Sequence, residues 1–131
     1  MWICLSDGFL SVVADKNDQT RLMVRGRRKN DLLNIFGQDA QIVETAEADY
    51  RWRTFVTRAA FKAVLDSRID TISYTNFKNS VKDDELHEMY MDFWNTHRHY
   101  QDQDRAENRL DSTGQSGRGS GNSVQKLNKR K

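Results

Sequence analysis

Asp49-Tyr50-Arg51-Trp52-Arg53-Thr54-Phe55-Val56 alternates bulky and charged residues with period two. That is the pattern of a strand whose two faces meet different surroundings. Strict alternation sets Tyr50, Trp52, Thr54 and Val56 on one face and Arg51, Arg53 and Phe55 on the other. A single strand is not stable, so the neighbouring segments must supply its partners.

Toward the N-terminus those partners are legible. Phe9-Leu10-Ser11-Val12-Val13-Ala14 is rich in β-formers, Asp15 to Thr20 is a polar turn, and Leu22-Met23-Val24-Arg25-Gly26-Arg27 returns as an antiparallel second strand. Asn30 or Asp31 is the expected cap of a short helix carrying Leu32, Leu33 and Phe36, with Gly37 just past its C-terminus. Gln41 to Thr45 is a third strand, and Ala46-Glu47-Ala48 turns into the fourth.

Toward the C-terminus the period changes. Thr57 is the expected N-cap of a helix whose Phe61, Val64, Leu65 and Arg68 fall at helical spacing. Tyr74-Thr75-Asn76-Phe77-Lys78 follows neither period. Asp83 or Asp84 opens the longest helix, with Leu86, Tyr90, Phe93, Trp94 and His97 on one face and acids crowding its first turn. After Tyr100 the apolar periodicity stops. Strands first and helices later give the order ββαββαα. The expected fold is a single small α+β domain over 1–100, with an antiparallel sheet of about four strands and helices packed on one face. Residues 101–131 are expected to be a charged, then Gly/Ser-rich basic flexible tail, since Ser112 to Ser123 cannot bury enough surface to offset its ordering entropy.

Charge sharpens that division. From Thr113 onward Arg118, Lys126, Lys129, Arg130 and Lys131 are the only charges, which leaves 16 basic against 19 acidic residues in 1–112, a net of −3. The expected body is mildly acidic and the tail basic. No apolar run approaches the length of a membrane span, the start lacks the basic region of a signal peptide, and the lone Cys4 has no internal disulfide partner. These features point to a cytoplasmic protein without a membrane association.

Met1-Trp2, Gly8-Phe9-x-Ser11-Val12-Val13, Leu22-x-Val24-Arg25-x-Arg27, Asp49-Tyr50-Arg51-x-Arg53 and Tyr74-x-Asn76-Phe77-Lys78 together resemble a family of small bacterial and phage proteins. The resemblance covers roughly the first hundred residues. That family has no assigned activity, so the likeness implies a fold unit and a bacterial or phage setting.

Candidate sites fall into three groups. If the second and fourth strands share a sheet, Arg25, Arg27, Arg51 and Arg53 gather on one face, suited to phosphates and bases. Against this stands an ordinary solvated face whose arginines pair with Glu44, Glu47 or Asp49. Tyr74, Asn76 and Lys78 form a candidate binding loop, set against a connection in which Tyr74 and Phe77 fill the core and Asn76 satisfies backbone groups. Lys126, Lys129, Arg130 and Lys131 end a tether that would gain affinity for polyanions by counterion release.

Catalytic and metal chemistry find little support. There is no G-x-S-x-G, no phosphate loop and no dinucleotide fingerprint, so no cofactor is expected. His87, His97 and His99 lack the i, i+3 or i, i+4 spacing of helical metal ligands. The expected function is a non-enzymatic binding module contacting nucleic acid or a nucleoprotein. The alternative is a protein–protein interaction module, such as a phage-encoded modulator of a host complex.

Overall fold

The computed structural model describes residues 1–114, and the readings that fall on 115–131, including Lys126, Lys129, Arg130 and Lys131, lie outside the described residues. The chain is α+β. Its elements are β1 (Trp2–Leu5), β2 (Gly8–Ala14), β3 (Arg21–Gly26), α1 (Lys29–Phe36), β4 (Val43–Glu44), β5 (Trp52–Thr57), α2 (Arg58–Asp70), α3 (Phe77–Ser80) and α4 (Asp84–Gly114). The strands form one sheet in the order β1-β2-β3-β5-β4, every neighbouring pair antiparallel.

The sheet thus has five strands where the sequence suggests about four. The extra one is β1, Trp2-Ile3-Cys4-Leu5, too short to show a period of its own. It is recruited by pairing: Trp2 lies opposite Ser11 and Leu5 opposite Gly8, and the terminal ammonium of Met1 donates to the Val12 carbonyl at 2.7 Å.

Alternation along β2 sorts the apolar residues into two clusters. Leu10 and Val12 join Val24, Leu32, Ile35 and Phe61 in a core between the sheet and the helices α1 and α2. Trp52 and Val56 pack against the same core, as the period-two pattern requires. Phe9 alternates to the opposite side and clusters with Tyr50, Val81, Leu86 and Tyr90. So α1 and α2 share one face as expected, whereas the first turns of α4 gather with residues of the other. An amphipathic helix buries its stripe wherever apolar surface is open, and Phe9 offers it there.

Capping follows the sequence closely. Thr57 Oγ1 accepts from Ala60 N at 3.1 Å, Gly37 takes φ 92° after α1, and Asp83 Oδ1 accepts from Leu86 N at 2.9 Å at the head of α4. At α1 the cap position belongs to Arg28 instead of Asn30 or Asp31. Asp31 serves from inside the first turn, its Oδ2 3.4 Å from Arg28 N. Gly8 makes room for this helix: a Cβ there would come 2.9 Å from the Asp31 carbonyl oxygen.

By its contacts the chain divides after Phe93, into a compact unit Met1–Phe93 and a second unit beginning at Trp94. The residues from Trp94 to Gly114 belong to α4. No helix among the described residues is long and apolar enough to cross a membrane.

Candidate functional site: an arginine-bearing sheet face

The register builds the site. Arg25 pairs with Ser11 on one side and Arg53 on the other, and Arg53 in turn with Val43. Two residues back along β3, Met23 lies between Val13 and Phe55. Arg21, at the start of β3, lies opposite Thr57. All point away from the α1/α2 core, because the intervening Leu22 and Val24 point into it. Within the strands, Arg21, Arg25 and Arg53 are the only charged residues of this face; just past β2 the buried Asp15 continues it opposite Arg21, its N donating to the Arg21 carbonyl at 3.0 Å. Glu44 sits opposite Trp52 and belongs to the other face.

Tyr50 holds one end of the site together. Strict alternation assigns it to the side of Trp52, but it precedes β5 in a bend, where the period-two rule no longer applies. It is buried with Phe9 on the arginine side. The Arg25 guanidinium carbon lies 4.6 Å and that of Arg27 4.2 Å from its ring centroid. Such contacts draw a cation onto the electron-rich ring face. Arg53 Nη2 donates to the Tyr50 carbonyl at 3.0 Å, and Arg27 Nη1 donates to the Asp49 carbonyl.

The four predicted arginines therefore divide into two kinds. Arg25 and Arg53 are half-buried, and Arg25 Nη2 donates to Ser11 Oγ at 2.7 Å. The Nε of each is buried without a hydrogen-bond partner. Arg27 and Arg51 are exposed; Arg27 lies over Tyr50 at the rim of this face, whereas Arg51 does not join it, its guanidinium carbon lying 5.6 Å from the Trp52 ring on the other face. Arg51 makes the ion pair expected of a solvated face, its Nη2 2.6 Å from Glu44 Oε1.

Tyr74, Asn76 and Lys78 sit on a different element, the approach to α3. There the structural alternative accounts for Asn76, which accepts from Asn79 N at 3.3 Å as the helix N-cap, and for Phe77, whose ring contacts Tyr90 at 5.2 Å; Tyr74 does not fill the core but is exposed, its ring 5.8 Å from Phe77. Lys78 lies half-buried within α3 itself.

Three features escape the sequence reading. Arg21 falls between the expected turn and the expected strand, although the β3–β5 ladder begins there. Ser11 becomes an arginine partner only through register. Asp31 is 5% exposed and lines a cleft of about 370 Å³ together with Asp7, Asn34 and Lys82. Burial pushes its carboxyl above the ordinary aspartate value. The apolar flank of α1 gives no hint of this, because the cap geometry that buries the carboxylate is tertiary.

Cys4 is the opposite of an activated thiol, since desolvation raises its pKa. Among the described residues no three His, Cys, Asp or Glu side chains are placed to hold a metal ion. No family model, curated protein or solved structure matches the chain.

Proposed function

We propose that this chain is a non-enzymatic cytoplasmic binding module, from the bacterial or phage setting its motifs resemble, that contacts nucleic acid or a nucleoprotein. The observation that carries the reading is the register pairing Arg25 with Arg53 on a sheet face whose strand charges are all arginine. Guanidiniums suit phosphate because they are always charged and present several donors in a fixed fork. Arg27, over the Tyr50 ring, adds charge to the same side, and the basic residues Lys126, Lys129, Arg130 and Lys131 add a nonspecific electrostatic contribution. The mildly acidic remainder of the body restricts the polyanion to this face and the terminus.

The test is fluorescence anisotropy of labelled oligonucleotides across a salt series with the full chain and two variants. One neutralises Lys126, Lys129, Arg130 and Lys131 to Gln; the other is Arg53→Met, which keeps the apolar stem and removes the guanidinium. Affinity should fall with salt and weaken in both. A chain that binds no nucleic acid even at low salt would sink the proposal and favour the protein-partner alternative.

A further inference from the structure

Beside the arginines the same face carries an apolar strip with no core of its own. Phe55 pairs with Met23 and Met23 with Val13, three half-buried side chains in a row across β5, β3 and β2. None of them belongs to either apolar cluster or packs against one. The strip is bounded by cations on both sides. The Arg21 guanidinium carbon lies 5.7 Å from the Phe55 ring centroid, and Arg53 stands two residues before Phe55 on the same strand. Residues i and i+2 of a strand are roughly 6.8 Å apart, so ring and guanidinium can meet adjacent parts of one ligand.

This pairing of features selects among polyanions. A duplex offers phosphates to the arginines but hides its base faces in the stack, leaving Phe55 with nothing to contact. An acidic peptide offers carboxylates but no flat π-surface. A single strand offers both, since every unstacked base has a face that can lie on an aromatic ring while its phosphates reach flanking arginines. Arg21 at 5.7 Å is near the outer limit of a cation–π contact, so a base can take up the ring while the guanidinium turns to phosphate.

We propose that the Val13–Met23–Phe55 strip is a stacking platform for single-stranded nucleic acid, with a base on Phe55 and neighbouring phosphates on Arg21 and Arg53. The inference rests on the polyanion reading and narrows it to one substrate class and one ring.

The experiment compares binding of a labelled single-stranded oligonucleotide and a duplex of the same length to the full chain, at fixed salt. It uses Phe55→Leu, which keeps apolar bulk but lacks the π-face, and Phe55→Tyr, which restores it. Urea midpoints of both variants establish that the fold is retained. The wild type should prefer the single strand. Phe55→Leu should lose roughly five- to a hundredfold of single-strand affinity, the range of one stacked base, with duplex affinity unchanged and Phe55→Tyr near wild type. Unchanged single-strand binding by Phe55→Leu would overturn the platform and leave the arginine reading standing. Equal losses on both nucleic acids, or equal competition by poly-glutamate, would overturn it as well. Failure of the wild type to bind either nucleic acid would instead remove the polyanion reading itself.

Discussion

On one side of β2, Leu10 and Val12 are sealed beneath α1 and α2, with Leu10 wholly inaccessible to solvent. On the other side, Ser11 is equally buried but its hydroxyl is committed to Arg25, and Val13 is left half-buried outside any core. The same strand thus builds two surfaces of different composition and burial. The covered face is apolar and is stabilised by removal from water. The arginine face mixes apolar strip, half-buried guanidinium and exposed rim, and the Nε atoms of Arg25 and Arg53 are buried there without a hydrogen-bond partner. Natural folds break local rules most often where something else is being served.

The largest expected effect tests the covered face. Leu10→Ala should remove about 2–5 kcal/mol, because truncating a fully buried leucine forfeits transfer energy and leaves a cavity. Urea denaturation monitored by circular dichroism measures it. A cost below about 1 kcal/mol, well under the range for a core leucine, would mean that the α1/α2 side is not the principal core, and the contrast between the faces would collapse.

A second, smaller effect sharpens the boundary between them. The Tyr90 hydroxyl lies 2.8 Å from the Leu5 carbonyl and 2.9 Å from that of Gly8, so α4 is pinned to the turn between β1 and β2. Tyr90→Phe should cost about 1 kcal/mol, the usual net value of such a bond. Burial first, and nearby negative charge after it, push the Tyr90 hydroxyl far above the ordinary tyrosine value. The folded chain therefore keeps its phenol protonated where the unfolded chain releases the proton, near about pH 10. Stability from this group is fully present below that pH and declines above it. Tyr90→Phe should lack this alkaline decline, a difference visible in urea midpoints taken at about pH 8 and about pH 11, on either side of the unfolded value. Parallel curves for the two proteins would show that the hydroxyl is not held as described.

The extent of sequence legibility follows from the same contrast. Period-two alternation locates Trp52, Thr54 and Val56 on the core face and Arg53 with Phe55 on the other, since every residue within a strand obeys one geometric rule. Thr57 and Gly37 are legible because caps are local chemistry. Tyr50 is not, because it stands just outside the strand and its position is set by Phe9 and two guanidiniums distant in sequence. β1 is not, because four residues carry no period and their strand exists only through pairing with β2. The arginine cluster is half legible: alternation takes Arg25 and Arg53 off the core face, only the register decides that they meet, and Arg51, one residue before β5, turns instead to Glu44 and Trp52. Asn76 shows the reverse case, a residue attractive as a binding group that the structure uses as a cap.

The smallest expected effect falls at the sheet edge. Arg51 and Glu44 form an ion pair at 2.6 Å, but their side chains remain 57% and 42% exposed. Water and salt screen such a pair, and holding two long side chains in one geometry costs entropy, so Arg51→Ala should change stability by about 0–1 kcal/mol. Raising the salt concentration should shrink even that difference. Nucleic-acid affinity should change little, because the Arg51 guanidinium lies with Glu44 and Trp52 on the face opposite Arg25 and Arg53. The two readouts separate the roles of the faces. A clear loss of binding with unaltered stability would extend the proposed site around the sheet edge to Arg51, and the contrast between the faces would weaken.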